Sequence, residues 1–194
     1  IQKLESEPEI EFRNVHRGFD GLREDQFNRG WFDAWARGET GWPFVDACLR
    51  SLQATGWINF RMRAMLVAFS SYQLWNHWRE PGLHLARMFT DFEPGIHWPQ
   101  VQMQSGTTGI NTPRIYNPVK QAQDLDPEGI FVRRWLPELG QVSNVWIFEP
   151  WRMPPQMKLR TGSAHYPLPL VDFTLSHRDA KDEITMLRTG SAAN

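Results

Sequence analysis

Two arginines stand close together in the apolar stretch N-F-R-M-R that begins at Asn59. In a helix Asn59 and Arg63 share one face, whereas Arg61 points elsewhere. An unpaired buried charge is strongly destabilising, so Arg63 needs a carboxylate. Asp91 and Glu93, in the turn after the next predicted helix, are the candidates. The pattern leaves open a structural ion pair or a site for an anionic or aromatic ligand.

Tryptophan is unusually frequent, with ten residues in this chain of 194. Because Trp is rarely hidden completely, some of these side chains are expected to line a pocket or a surface. Trp57, Trp75 and Trp78 fall on a predicted helical hairpin, where core packing and a position beside a ligand are both open. His97 and Trp98 follow a Pro-Gly pair that we interpret as a turn, so a loop would carry them towards a ligand.

Several common catalytic motifs are missing from the sequence. It has no glycine-rich phosphate loop, no G-x-S-x-G and no H-E-x-x-H, which argues against hydrolases and nucleotide kinases. The six histidines do not have the spacing of a ligand set, so no metal site is expected. Arg133 and Arg134, beside Trp135, are compatible with phosphate binding and with a solvated helix face.

The elements that position these residues are predicted to be helices. Apolar residues at helical spacing predict a short helix over F-D-A-W-A-R (32–37) and another from Pro43 to the glycine at Gly56. The longest helix is predicted from Asn59 to about Trp78, ended by Pro81-Gly82.

The remainder of the chain is predicted to hold shorter helices and loops. The helices are H-L-A-R-M-F (84–89), a segment from near Pro127 that ends before Pro137, and a polar helix over 179–187. Loops are predicted at 93–95 and 105–113, and the proline-rich segment 149–169 is predicted to be extended. No strand alternation is present, so the fold class is mostly α.

Length, net charge, cysteine content and hydropathy restrict the class of protein. The length fits one domain or part of a larger protein, and the net charge of −1 gives no overall attraction to nucleic acid or membrane. Cys48 is the single cysteine, which excludes an internal disulfide and favours a reducing, intracellular compartment, cytoplasmic or organellar. No apolar run has the length of a membrane span, so a soluble protein is expected. The first residue is Ile, which is compatible with a fragment or a processed product.

Six motifs occur in a recognisable order: G-E-T-G-W-P-F-V-D-A-C-L-R, T-G-W-I-N-F-R-M-R, W-R-E, D-F-E, R-I-Y-N-P-V-K-Q and D-P-E-G-I-F-V-R-R-W-L-P-E-L. Over about 38–139 the chain closely resembles the C-terminal half of the FAD-binding domain of the photolyase/cryptochrome family. P-W-R-M-P at 150–154 is similar to the end of that domain. The resemblance divides the chain into a polar lead-in with a short helix (1–37), a helical FAD-binding core (38–140) and a proline-rich C-terminal segment (141–194).

The resemblance implies FAD as cofactor, held in an all-helical domain. By position, Arg63 would pair with Asp91 close to the flavin ring, and Trp57 would stand beside the flavin pocket. Glu93 matches an acidic position near the ribose and the flavin. His97 falls where the family usually has an asparagine that faces flavin N5.

The resemblance also implies a reaction. In the family's repair enzymes, light-excited reduced flavin donates an electron to a flipped-out pyrimidine dimer in DNA, which splits and returns the electron. Trp78 matches a tryptophan of the family's electron relay. Arg61 and Arg114 match positions that face DNA or the lesion. Met103 occupies a position that usually holds a lesion-stacking tryptophan.

The sequence departs from the family pattern at several positions. Phe60 replaces the asparagine of H-N-R, and Val101 and Met103 replace both tryptophans of W-Q-W. Val101 cannot relay electrons as an indole does, and Trp98, three residues earlier, is the proposed substitute. The family's phosphate-binding segment, dimer-contacting glutamate and antenna domain have no counterpart here, so an upstream polypeptide is expected to complete the FAD pocket.

Three interpretations therefore remain. The first is a photolyase-type lyase, or a part of one, that repairs pyrimidine dimers. The second is a cryptochrome-like flavin photoreceptor that signals. The third is a photolyase-like protein without photochemistry because its flavin pocket is incomplete.

Overall fold

The computed structural model describes residues 2–110 and 114–191, and within them the chain is helical with no strand, as the mostly α prediction required. The described α-helices are α1 (Gln2–Ser6), α2 (Arg29–Arg37), α3 (Pro43–Thr55), α4 (Phe60–Ala68), α5 (Arg79–Met88), α6 (Pro94–Ser105), α7 (Pro118–Leu125), α8 (Ile130–Trp135), α9 (Pro155–Arg160) and α10 (Phe173–Ser191). Short 3₁₀ turns lie at Pro8–Glu11, Arg17–Phe19, Pro137–Leu139, Pro150–Arg152 and Ser163–His165.

Helix α3 is the centre of the core. It begins at Pro43, whose missing N–H is not needed in a first turn. Leu49 and Leu52 are completely buried on its inner face. The helix ends at Gly56, which has φ +71°, and a Cβ there would lie 2.4 Å from the Thr90 side chain. The predictions for this helix, for 32–37 within α2 and for the segment before Pro137 within α8 are confirmed.

The predicted helix from Asn59 to Trp78 is wrong in its second half. Helix α4 passes at Phe69–Gln73 into a π-helical turn, and Trp75 then adopts φ +55°, which ends the helical run. Trp78 instead precedes α5, and Pro81-Gly82 lies in the first turn of α5 rather than ending a helix. Proline is compatible with that position because the first-turn N–H groups have no intrahelical acceptor. The predicted helix 84–89 lies mostly inside α5.

A helix was missed around the predicted loop at 93–95. Pro94 occupies the first turn of α6, and the Glu93 side chain caps that helix by accepting a hydrogen bond from the N–H of Gly95 at 3.0 Å. His97 and Trp98 are therefore helical residues. The loop predicted at 105–113 is confirmed for 106–110, whereas 111–113 lie outside the described residues. Helix α7, capped by Asn117, was also missed.

The C-terminal part is more helical than predicted. The segment 149–169 contains two 3₁₀ turns and α9, and each proline in the first turns of Pro150–Arg152 and α9 sits where no N–H is required. Helix α10 extends over 173–191 instead of 179–187.

Helix α4 packs against α6, and α10 packs against the π-helical turn Phe69–Gln73. Most buried apolar side chains of α3 to α8 belong to one continuous cluster. Among the described residues, no helix has the length and apolar character to span a bilayer.

Candidate functional site

Arg63, at the end of the first turn of α4, is fixed by three contacts. Its Nη2 donates to Asp91 Oδ2 at 2.8 Å, and its Nε donates to the carbonyl of Ile58 at 2.8 Å. The guanidinium carbon lies 4.1 Å from the centre of the Phe89 ring, within cation–π range. The ion pair that the sequence predicted is therefore formed, and it joins α4 to the turn after α5.

The Arg63–Asp91 pair is not buried, contrary to the buried-charge argument from the sequence. The Arg63 side chain is 23% exposed and that of Asp91 is 49% exposed. The hydrogen bond from Arg63 lowers the pKa of the Asp91 carboxyl below its ordinary value. Because both groups reach solvent, the pair can face a ligand rather than only hold the fold together.

The pair stands in the wall of an open cleft of about 160 Å³ between α4, α5 and α6. The cleft is lined mainly by apolar and aromatic side chains, with polar groups from α6 and the turn before it: Phe60, Arg63, Ala64, Val67, Leu85, Phe89, Asp91, Phe92, Glu93, Ile96, His97, Gln100, Val101 and Gln104. An apolar cleft with a few converging polar groups is the usual form of a small-molecule site.

His97 lies in this cleft and is held against α5. Its Nε2 lies 2.8 Å from the carbonyl oxygen of Gly82, an arrangement in which Nε2–H donates and Nδ1 keeps its lone pair. Burial lowers the pKa of His97, partly opposed by the hydrogen bond to Gly82. The imidazole is therefore neutral at pH 7 and offers an acceptor.

Gly82 also lets α5 and α6 approach closely. A Cβ at Gly82 would lie 2.9 Å from Trp98 Cζ3 and 3.1 Å from Val101 Cγ1. A larger residue at this position would force the Trp98 and Val101 side chains to shift.

Aromatic rings continue from the cleft into the interior. The His97 and Trp98 rings have centroids 5.0 Å apart, and Trp98 and Trp78 have centroids 6.0 Å apart, both edge to face. Trp78 is fully buried and donates Nε1–H to Asn14 Oδ1 at 2.7 Å. The structure thus places Trp78 and Trp98, the two residues expected to relay electrons, in contact with each other, and it places His97 beside Trp98.

The remaining predicted site residues are more scattered. Glu93 lines the cleft and caps α6. Trp57 is 56% exposed and is not among the cleft-lining residues. Arg61 and Arg114 are exposed, and Met103 is half-buried on α6. None of these last three lines the cleft.

Sequence reasoning missed one face of α6. Ile96, Gln100 and Gln104 line the cleft at helical spacing together with His97 and Val101. Their three-and-four spacing was a readable signal, but the Glu-Pro-Gly interpretation as a loop hid it.

The cleft residues fit a flavin. Phe89 and Val101 offer apolar surface to a planar ring, and Arg63 and Asp91 offer a donor and an acceptor for its polar edge. Gln100 Oε1 is buried without a hydrogen-bond partner and lines the same cleft. A buried, unpaired acceptor normally has a partner, which a ring N–H would supply.

Comparison with known proteins agrees with this geometry. A family model described as the FAD binding domain of DNA photolyase matches residues 1–186, a wider range than the 38–139 of the sequence resemblance. Deoxyribodipyrimidine photo-lyase of Alkalihalophilus pseudofirmus is 33% identical over 182 residues, which are 90% of this chain and 37% of that protein. Cryptochrome DASH of Gloeobacter violaceus is 33% identical over 160 residues, 80% of this chain and 32% of that protein.

Solved structures give the same result. The class III photolyase of Agrobacterium tumefaciens matches with a TM-score of 0.87 and 29% identity, over 96% of this chain and 39% of that one. The archaeal photolyase of Sulfolobus tokodaii, solved with two FAD molecules, matches with a TM-score of 0.84 and 28% identity, over 94% and 40% of the two chains. The chain thus spans well under half the length of these relatives. FAD, the cofactor expected from the sequence, is the cofactor of this domain, and the chain belongs to the family of FAD-binding domains of DNA photolyases.

Proposed function

We propose that this chain is the C-terminal half of a photolyase FAD-binding domain and serves light-driven repair of pyrimidine dimers in DNA. The observation that carries the proposal is the row of rings from His97 through Trp98 to Trp78, which starts in the cleft beside the Arg63–Asp91 pair. When bound, FAD supplies the photochemistry: after light excitation it exchanges single electrons with its surroundings and with the dimer.

The cleft residues have binding and orienting roles in this proposal. Arg63 and Asp91 would hold the polar edge of the flavin with the N–H groups and the carboxylate oxygen that their mutual hydrogen bond leaves free. The Nδ1 lone pair of His97 would be available to accept a hydrogen bond from the flavin ring. Glu93, at the start of α6, would face the ribose. Trp57 is exposed outside the cleft lining and would stand beside the completed pocket.

Trp98 and Trp78 supply electrons from the protein. Trp98 is buried next to His97 in α6. Its ring centroid lies 6.0 Å from that of the fully buried Trp78, edge to face, so an electron could pass between the two indoles. This arrangement supports Trp98 as the substitute for the missing indole at Val101. The hydrogen bond from Trp78 to Asn14 fixes the second ring and gives its N–H an acceptor at the moment the ring is oxidised.

DNA binding is assigned to Arg61, Arg114 and Met103. The two arginines are exposed and suit contacts to backbone phosphates, which position a duplex without reading its sequence. Met103 would contact the lesion by apolar packing. The substrate class is DNA that contains pyrimidine dimers.

An upstream polypeptide completes the pocket. Phe60 and Ile96 are about 60% exposed on the rim of the cleft, and Phe92 beside them is also exposed. A contiguous exposed apolar rim marks a surface that another element covers. The chain spans only 37% of its photolyase relative from Alkalihalophilus pseudofirmus, which leaves ample length for that element.

Blue-light reduction of bound FAD tests the proposal. The chain is loaded with FAD and illuminated with an external thiol present, and the loss of oxidised-flavin absorbance is followed for wild type, Trp98→Phe, Trp78→Phe and the control Trp135→Phe. We expect at least tenfold slower reduction in the first two variants and no change in the control. Equal rates in all four proteins would refute the relay.

A repair assay separates photolyase from cryptochrome. A cryptochrome-like photoreceptor is the second candidate, because the ring series reduces a flavin whether or not DNA is present. Under light, a photolyase converts dimer-containing oligonucleotides to intact pyrimidines, whereas a photoreceptor with the same photoreduction leaves them unchanged.

A further inference from the structure

The indole N–H of Trp78 begins a chain of hydrogen bonds that leads to the protein surface. Trp78 Nε1–H donates to Asn14 Oδ1 at 2.7 Å, and Asn14 Nδ2 donates to the carbonyl of Phe19 at 2.9 Å and to Asp20 Oδ1 at 3.2 Å. An indole N–H can only donate, and both partners of Nδ2 can only accept, so these contacts fix the orientation of the amide. Asn14 therefore connects the Trp78 indole to the Asp20 carboxylate.

The Asp20 carboxylate carries a negative charge on this side of Trp78. Its Oδ2 pairs with Arg17 Nη2 at 2.9 Å, and both side chains are exposed. Hydrogen bonds in a chain polarise one another, so the carboxylate makes the buried Asn14 a stronger acceptor for the indole N–H. A negative charge here also lowers the free energy of a positive charge on the indole, and Arg17 opposes that effect.

An open cavity of about 350 Å³ lies beside this chain of hydrogen bonds, lined by Phe12, Arg13, Asn14, Arg17, Asp20, Glu24 and His77. It shares no lining residue with the cleft at Arg63. Asn14 is hydrogen-bonded to Trp78, and the His77 ring centroid lies 5.1 Å from that of Trp78. One layer of side chains therefore separates the fully buried Trp78 from a cavity that a small reductant can enter.

The direct neighbours of Trp78 allow the indole to hold a positive charge without losing its proton. The Nε1–H is directed at the amide oxygen of Asn14, which is not basic, so the proton stays on Nε1 after oxidation. Burial lowers the pKa of His77, so this ring is neutral at pH 7 and adds no positive charge beside the indole.

Trp75, the nearest tryptophan along the chain, has the opposite environment. The guanidinium carbon of Arg23 lies 4.5 Å from the centre of the Trp75 ring, and only 2% of Arg23 is exposed. Burial lowers the pKa of Arg23 from 12.5 to about 10, so the group is still charged at pH 7. A positive charge over an indole raises the free energy of its radical cation. Trp75 is therefore harder to oxidise than Trp78.

We infer that Trp78 is the terminal electron donor of the protein, and that Asn14 and Asp20 are positioning residues that stabilise its radical cation. This inference rests on the proposed function, in which Trp98 and Trp78 form the relay. Once Trp98 has lost an electron, Trp78 replaces it, and the positive charge then stays on Trp78 with its indole proton in place. A thiol that enters the cavity returns one electron to Trp78, releases its proton to water and leaves as a thiyl radical.

Pulse radiolysis of the flavin-free full chain in azide solution tests the inference, because an azide radical takes one electron from tryptophan and becomes an azide ion. Exposed indole radical cations lose their N–H proton to water, whereas that of Trp78 should keep it. We expect a long-lived radical-cation absorbance that is lost in Trp78→Phe and unchanged in Trp75→Phe. No flavin is needed, so a failure of the chain to bind FAD does not alter this result.

Two surface variants give the charge effect a sign. Asp20→Asn keeps the acceptor oxygen but removes the negative charge, and should lower the amplitude of this absorbance roughly threefold or more. Arg17→Gln removes the opposing positive charge and should raise it. Asp33→Asn is the matched control, because Asp33 belongs to another exposed ion pair, with Arg29 at 2.9 Å, and it should have no effect. Circular dichroism verifies that each variant is folded.

The sign separates this role from a merely structural one. If the Arg17–Asp20 pair only held the local structure together, both variants would change the absorbance in the same direction. The inference is overturned by changes of the same sign, by no change in either variant, or by a wild-type chain that forms no long-lived radical cation. Persistence of the long-lived absorbance in Trp78→Phe would also overturn it.

Discussion

Two carboxylates of this domain show how environment separates a structural charge from a ligand-binding one. Asp46, in the first turn of α3, is fully buried and accepts four hydrogen bonds, from the N–H and hydroxyl of Thr40, the N–H of Gly41 and the hydroxyl of Tyr166. Asp91, at the cleft, is half-exposed and has one side-chain partner, Arg63.

The two carboxylates differ in how much hydrogen-bonding capacity remains free for a ligand. Every oxygen of Asp46 is used, and its partners come from positions 40, 41 and 166, so it ties the C-terminal segment to the core. The Asp91 carboxylate and the Arg63 guanidinium retain free bonding capacity towards an open cleft. The comparison predicts that Asp46 variants lose stability and that Arg63 variants lose ligand.

The largest effect is expected for Asp46→Ala. The substitution leaves two N–H groups and two hydroxyls without their acceptor inside the core, and should lower the free energy of unfolding by about 4 kcal/mol. Urea unfolding followed by circular dichroism measures it. Tyr166→Phe removes one of the four bonds and should cost only about 1 kcal/mol. A loss for Asp46→Ala as small as that for Tyr166→Phe would contradict a structural role.

Asp46 should also make stability depend on pH. Burial raises the pKa of its carboxyl from 3.8 to about 6, partly opposed by its hydrogen bonds. The folded state therefore binds the proton more tightly than the unfolded state, and the free energy of unfolding should fall as pH rises from about 4 to about 6. The total change is about 3 kcal/mol, from a shift of about two pKa units. Asp46→Asn does not titrate, so parallel profiles for the two proteins over this range would argue against the prediction.

Arg63→Ala should have a much smaller effect on stability. The pair with Asp91 is partly exposed, so its loss together with the Phe89 contact should cost about 1 kcal/mol. Arg29→Ala is a matched control, because Arg29 also has an ion pair at 2.9 Å, with Asp33, and lies 5.6 Å from the Phe32 ring centre. Thermal unfolding of both variants should give similar small shifts. A loss of several kcal/mol for Arg63→Ala alone would mean that the pair is structural after all.

The smallest expected effect is that of His97 on the acid dependence of stability. Burial lowers its pKa, so its contribution to stability is present above pH 6.5 and is lost as the pH falls through the lowered folded-state value. His97→Asn should therefore unfold with a weaker acid dependence than wild type. His77 and His84, whose pKa values are also lowered by burial, remain in both proteins and cancel in the difference. Identical acid profiles would show that His97 is not buried as a neutral side chain.

The sequence was sufficient for the fold class and for the main pair. Helical periodicity located α3, and the charge argument together with the family resemblance paired Arg63 with Asp91, 28 residues apart. Prediction from the sequence succeeded for α3 and for this pair because the local sequence preferences there agree with the tertiary packing.

The sequence was misleading where prolines and glycines lie inside first turns. Pro81-Gly82 and Pro94-Gly95 were interpreted as breaks, yet both pairs belong to the first turns of helices. Gly82 is required there by the close approach of Trp98, a tertiary contact that no local pattern shows. The exposure of the Arg63 pair and the π-helical turn also depend on packing against α6 and α10 and could not be derived from periodicity.

An FAD titration of the purified chain tests the central claim most directly, that the cleft between α4, α5 and α6 holds the flavin. Wild type, Arg63→Ala and Arg29→Ala are titrated with FAD, and flavin fluorescence gives the fraction bound. The account predicts saturable binding by wild type and Arg29→Ala, and at least tenfold weaker binding by Arg63→Ala. No binding by wild type would show that the cleft of this chain needs the upstream polypeptide to hold FAD. Equal affinity in all three proteins would contradict the claim.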